Sequence, residues 1–183
     1  MRKLHRNSQK RYYIDGAIYF ITTNTYCRFP YFLEDILCEL FIEELKLCKR
    51  LKKFQLYGYK INPDHIHLLI KPNIEFNFSK IIKSLKENFS RDANKLISFS
   101  KKIRIPEYTS DTSTCRLCIR EFIRKKYYKI DIHNLPQFKW QKSFHYHIIN
   151  NHIDFMNHME YIKYQWIKHG LNKNKWCWVE YNN

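Results

Sequence analysis

The spacing of apolar positions divides the chain into a short series of elements. Ala17 to Thr23 (AIYFITT) is apolar and β-branched, the composition of a strand. Glu34 to Lys53 carries Leu37, Phe41, Leu45, Cys48 and Leu51 at helical spacing, with an acidic start and a lysine-rich end that suit the helix dipole. Phe54 to Ile61 and His65 to Lys71 read as two strands, and the Asn62-Pro63-Asp64 link between them is short enough to predict a hairpin. Phe78 to Leu96 is a second amphipathic helix. Its apolar stripe is Phe78, Ile81, Ile82, Leu85, Phe89 and Ala93, and its other face is basic: Lys80, Lys83, Lys86 and Arg91. The pattern dissolves over Ser98 to Thr114, which reads as loop. Cys115 to Tyr128 predicts a short helix with Arg116, Arg120 and Arg124 along one side. Trp140 to Ile149 predicts a last strand and Asn151 to Gly170 a last helix, with Gly170 as its C-terminal cap.

This order predicts an α+β fold of ferredoxin-like type, an antiparallel sheet with both main helices on one face. The other face is left for a ligand or for the last helix. The chain of 183 residues reads as a single domain with a basic insertion at about 98–138.

Charge narrows the function. The 33 Lys and Arg exceed the 17 Asp and Glu, a formal net charge of +16 that favours an anionic partner. Abundant lysine codons in an AT-rich genome are the bland alternative. Nucleic acid fits better than membrane, because no segment approaches the ~20 apolar residues of a spanning helix. The basic N-terminus lacks the apolar core of a signal peptide, which predicts a cytoplasmic, nucleoid-associated protein with reduced cysteines. Cys115 and Cys118 form a lone CxxC without the second pair a zinc knuckle needs.

The candidate chemistry lies in Pro63-Asp64-His65-Ile66-His67-Leu68-Leu69-Ile70. Strand side chains alternate, so His65 and His67 share a face and make a ready divalent-metal pair. On the last helix Phe155, Met159, Ile162 and Trp166 form an inward stripe, with His158, Tyr161, Gln165 and Lys168 beside it. Tyr161 and Gln165 are one turn apart, a hydroxyl that can act as nucleophile and an amide oxygen that can ligate a hard metal. Each residue alone has an ordinary reading. The histidines could be polar residues of a half-solvated strand, Gln165 a solvated helix residue, and Tyr164 is a rival to Tyr161. His158 reads as a neighbour of the site or as solvated, and His145 and His147 as structural or DNA-facing.

The run GYKINPDHIHLLIKP resembles the metal-binding strand of the HUH single-stranded-DNA endonucleases. The run WQKSFHYHIINNHIDFMNHMEYIKYQWIKHGL resembles the C-terminal part of the REP-associated tyrosine transposases and their insertion-sequence relatives, and YFITTNTYCRFPYF resembles the family's first strand. The resemblance implies His65 and His67 as metal ligands, Tyr161 as nucleophile and Gln165 as third ligand. It further implies Mg²⁺ or Mn²⁺ as cofactor, hairpin-flanked single-stranded DNA as substrate and a 5′-phosphotyrosine intermediate. Lys80, Lys83, Lys86, Arg91, Arg116, Arg120 and Arg124 are then candidate DNA contacts. The REP-associated group, whose members look monomeric, reads Asn-Pro where this chain has Gln165-Trp166, a departure that points to the insertion-sequence branch, whose members form homodimers, or to a divergent REP-associated member; Gln165 tilts the expectation to a homodimer. Two other readings remain open: a non-catalytic nucleic-acid binder of the same fold (a domesticated relative or a sheet-surface RNA binder), and a histidine-triad hydrolase. The last would want a third His where Leu69 stands.

Overall fold

A computed structural model of the chain describes residues 11–101, 132, 135–171 and 174–180. Among these residues five strands and three α-helices follow in the order β1 (Tyr19–Asn24), α1 (Asp35–Lys52), β2 (Gln55–Asn62), β3 (His65–Lys71), α2 (Phe78–Lys101), β4 (His145–Ile148), α3 (His152–Lys168) and β5 (Cys177–Val179). The sheet runs β4-β1-β3-β2-β5 with every pairing antiparallel. Its first four strands have the ferredoxin-like arrangement expected from the sequence, and β2 and β3 form the hairpin across Pro63-Asp64. Asn77 starts α2 by accepting the Lys80 N–H at 2.9 Å, and Asn151 starts α3 by accepting the Asp154 N–H at 2.9 Å.

The two faces of the central strand diverge by simple alternation. Ile66, Leu68 and Ile70 point into the main core with Tyr19, Ile21, Leu37, Phe41, Leu45, Ile81, Leu85 and Phe89, so α1 and α2 cover that face. His65, His67 and Leu69 point the other way. There Leu69 meets Phe20 and the fully buried Ile162 of α3 in a smaller cluster. The last helix therefore occupies the face that the sequence left open. Gly58 makes the close approach possible: a Cβ there would stand 3.1 Å from the Trp178 carbonyl oxygen, 3.2 Å from Val179 Cγ1 and 3.3 Å from Ile162 Cδ1.

Several expectations need adjusting. The last predicted strand shrinks to His145–Ile148, with Trp140 making only an isolated bridge to Thr25. Trp140 serves the core instead: its ring packs against Phe89 at 5.6 Å and its Nε1–H donates to the Lys86 carbonyl. Leu51 is 48% exposed in the final turn of α1 rather than on its buried stripe. Strand β5 was not foreseen. It pairs with the edge of β2, and the fully buried Lys60 holds its approach by donating to Asn174 Oδ1 (3.1 Å) and the Lys175 carbonyl (2.6 Å). The predicted helix Cys115–Tyr128, with Arg116, Arg120 and Arg124, lies outside the described residues, as does most of the basic insertion. No helix among the described residues is long and apolar enough to cross a membrane.

Candidate active site

β3 and α3 of a single chain complete a five-residue cluster. His65 and His67 are 5% and 3% exposed, and Gln165, reaching down from α3, is 2% exposed. The Gln165 side-chain nitrogen lies 2.6 Å from His67 Nε2, 3.5 Å from His65 Nε2, 3.1 Å from the Tyr161 hydroxyl and 3.3 Å from His169 Nε2. One amide thus marks the point where both imidazoles, the phenol and a third imidazole meet. The i, i+4 spacing sets Tyr161 and Gln165 on one line of α3, and His169, the residue that caps its C-terminus, continues it. The Tyr161 ring stands edge-on to His67 at 5.4 Å and to Phe20 at 5.8 Å, and Phe20 stacks on His67 at 5.1 Å.

Neighbours orient both histidines. The His65 Nδ1–H donates to Asp64 Oδ1 at 2.6 Å, so His65 Nε2 carries a lone pair toward α3. Asp64 also accepts from Arg28 Nη1 at 3.1 Å. His67 Nδ1 is bonded to Thr22 Oγ1 at 2.8 Å, its partner in register across β1. Burial pushes His65 below its ordinary value, with Asp64 opposing only in part. Burial, then the charges of His65, His169, Arg28 and Lys168, push His67 down to about 2. Both rings are neutral near pH 7 and both keep a lone pair for a cation. Asp64 is held below its ordinary value: burial would raise it, but the hydrogen bond and charge of His65 and the charge of Arg28 outweigh that.

The donor set fits a divalent cation. Among the described residues Asn62 Oδ1 is buried without a hydrogen-bond partner, while Asn62 Nδ2 donates to Gln165 Oε1 at 3.0 Å. Turning both amides by half a turn keeps their mutual hydrogen bond, with Asn62 Oδ1 now receiving the Gln165 N–H, and sets Gln165 Oε1 toward the two imidazole nitrogens, while the position without a partner passes to Asn62 Nδ2. Two nitrogens and one oxygen, all neutral, would then converge as ligands for an ion that accepts mixed donors.

The structure places the remaining candidates elsewhere. Tyr164 is 48% exposed and makes no part of the cluster. Lys80 and Lys83 are exposed and Arg91 bonds to Asn88 and Asp92, all on α2 and so on the opposite side of the sheet from Tyr161. Lys86 is half-buried and donates to the Gln141 and Ser143 carbonyls at 2.7 and 3.3 Å. His158 and His147 sit beyond Phe20, bridged by Asp154. Sequence reasoning passed over His169, Asn62 and Thr22. His169 was findable, being four residues past Gln165, and Asn62 faces His65 across a predicted hairpin.

Comparison with known proteins follows the same line. The family described as "Transposase IS200 like" matches residues 16–108. A Haemophilus influenzae protein that carries the name REP-associated tyrosine transposase is 28% identical over 165 residues, 90% of this chain and 78% of that protein. A REP-associated tyrosine transposase solved bound to a REP hairpin superposes with a TM-score of 0.61 at 21% identity, over 90% of this chain and 75% of that one.

Proposed function

The chain belongs to the IS200-like transposase family, and from that premise we propose that it is a metal-dependent single-stranded-DNA endonuclease and transposase, cleaving and rejoining hairpin-flanked DNA in the cytoplasm through a 5′-phosphotyrosine. The observation that carries this reading is the meeting of the Tyr161 hydroxyl and both Nε2 atoms on one Gln165 amide, at 3.1, 2.6 and 3.5 Å. The solved relative's hairpin ligand supports hairpin DNA as the substrate class.

His65 Nε2, His67 Nε2 and Gln165 Oε1 would hold the cation, Mg²⁺ or Mn²⁺. When bound, the cation polarises the scissile phosphate. Tyr161 supplies the attacking oxygen. Its bond to phosphorus forms as the bond from phosphorus to the 3′ oxygen breaks, and the proton given up by the phenol is matched, through solvent, by the one that oxygen takes up as it departs as a 3′-hydroxyl. The phosphodiester bond energy is kept in the tyrosine ester, so a strand's hydroxyl can reverse the step. Asp64 and Thr22 hold the imidazoles in the ligating orientation, and Phe20 walls one side against water. Tyr161, Gln165 and the histidines of this cluster come from one chain.

The non-catalytic alternative is less well supported. A sheet-surface RNA binder needs an open sheet face, and α3 lies across the face that carries Phe20 and His67. The test is incubation of labelled single-stranded hairpin DNA with Mg²⁺ or Mn²⁺, followed by a search for an adduct that survives denaturation. The expected outcome is an adduct with the native chain and with Tyr164→Phe, none with Tyr161→Phe, and strong loss with His65→Ala. An adduct retained in Tyr161→Phe, or one that forms equally in chelator, overturns the proposal.

A further inference from the structure

A second cluster of ligating atoms lies next to the first. His147 of β4 and Asp154 and His158 of α3 bring one ligand atom each to within 4.8 Å of one another. We propose that these three side chains form a second cation site, for a transition ion of the Zn²⁺ class, which fastens β4 to the amino end of the helix that carries Tyr161.

The donors choose the ion. Two imidazoles and one carboxylate suit Zn²⁺, Co²⁺ or Ni²⁺. The carboxylate already stands between the rings: His147 Nε2 is 2.9 Å from Asp154 Oδ2 and His158 Nδ1 is 3.0 Å from Oδ1. Neighbouring ligands around a tetrahedral ion with bonds of ~2.0–2.1 Å stand roughly 3.3 Å apart; each imidazole nitrogen already stands about that far from a carboxylate oxygen, and the set, which lies within 4.8 Å, must close by up to about 1.5 Å to share one ion. The carboxylate is held in place by the Asn150 N–H at 2.9 Å, and its residue is fixed by the Asn151 cap. The rings lie nearly parallel, 17° apart with centroids at 4.8 Å. His158 Nδ1 also lies 2.8 Å from the Asp154 main-chain oxygen, so loading shifts the ring proton to Nε2. Side-chain exposures of 46%, 19% and 21% for His147, Asp154 and His158 let an ion enter from solvent and leave room for water as a fourth ligand.

The site is separate from the first but touches it through one ring. Phe20 lies 4.6 Å from His158 on one side and 5.1 Å from His67 on the other, with Tyr161 edge-on at 5.8 Å. An ion that draws β4 and α3 together therefore also fixes the wall against which the nucleophile rests.

The test uses the full chain, stripped with chelator and titrated with Zn²⁺ by calorimetry and with Co²⁺ by visible absorption. The expected stoichiometry is two ions per chain in the native protein, one in His147→Ala/His158→Ala and one in His65→Ala/His67→Ala. The d–d bands of a nitrogen–oxygen tetrahedral Co²⁺ site should persist in the His65/His67 variant. Zn²⁺ should raise the Tm of that variant, and His158→Gln alone should weaken its remaining site at least tenfold. The His65/His67 variant carries the second site alone, so its one ion is read whatever the DNA-adduct experiment returns, and the two proposals fail separately. A native protein that takes a single ion, lost in the His65/His67 variant, overturns the second site. Retention of two ions in His147→Ala/His158→Ala does so as well.

Discussion

The pH dependence of stability should carry the mark of one buried carboxyl. Glu44 of α1 is 1% exposed and stands beside Asp92 of α2, 4% exposed, between the helices that cover the far face of the sheet. Burial, then the hydrogen bond and charge of Asp92, raise the Glu44 carboxyl from its ordinary 4.5 to about 8, against a smaller pull from Arg91. A raised folded value means that the folded chain prefers Glu44 protonated. The stability so gained is full below pH 4.5 and is lost as pH climbs toward 8. Each pH unit in that range costs about 1.4 kcal/mol. The buried histidines act with the opposite sign: His65 and His67 lie below the ordinary 6.5, so their contribution is lost as pH falls below that value. Between pH 6.5 and 8 Glu44 should remove about 2 kcal/mol, against a few tenths of a kcal/mol regained per buried histidine as the unfolded imidazoles lose their last protons. Glu44→Gln keeps the volume and the hydrogen bond without the charge. Urea unfolding followed by far-UV circular dichroism, with m-values held equal, should show the native chain losing that 2 kcal/mol relative to the variant. Parallel curves for the two chains across this window would refute the reasoning.

Four further outcomes follow from single contacts. Gly58→Ala forces α3 and β5 off β2, since its Cβ lands 3.1–3.3 Å from three atoms; about 1–3 kcal/mol of stability should go in denaturant unfolding, with at least a tenfold drop in adduct yield at a temperature where the variant is folded. Thr22→Val unties His67 Nδ1 while keeping the shape of the side chain, and Mn²⁺ affinity read by paramagnetic resonance should fall about 10–100-fold with little change in Tm. Lys60→Met leaves the Lys175 carbonyl and Asn174 amide without their donor, and limited proteolysis should cut the β5 segment faster, with about 1–3 kcal/mol lost overall. Arg28→Gln with Lys168→Gln should weaken single-stranded-DNA binding and flatten its salt dependence more than Lys80→Gln with Lys83→Gln, as measured by fluorescence anisotropy across a salt series.

The pairing of the two histidines was legible because it depends on one property only. Period-two alternation in a strand assigns His65 and His67 to a common face whatever packs on either side, and the i, i+4 rule does the same for Tyr161 and Gln165. Which face α3 would take was not legible. It is settled by contacts among distant residues, Ile162 against Phe20 and Leu69, and by the missing side chain of Gly58. β5 escaped notice because three residues carry no periodicity, and its pairing is secured by Lys60, a cation that composition would place on the surface. Asn62 was read as a turn residue and His169 was hidden beside a capping glycine, although both stand within hydrogen-bond reach of Gln165.

Charge proved legible in amount and not in direction. An excess of +16 predicts a polyanion but cannot say which surface meets it. The basic row of α2 looked suited to DNA, yet the helix packs on the side of the sheet away from Tyr161, and Lys86 gives its ammonium to two main-chain carbonyls. The cations that stand at the cluster come from other elements. Lys168 lies on α3 with its ammonium 5.6 Å from the Tyr161 ring centre, and Arg28 sits in the turn after β1 with its side chain 58% exposed. Arg28 also binds the carboxylate that orients His65, so a phosphate that drew Arg28 away would change the tether of a ligating imidazole. Substrate binding and metal geometry would then be linked through a single guanidinium, a coupling that no count of lysines along the sequence could have disclosed.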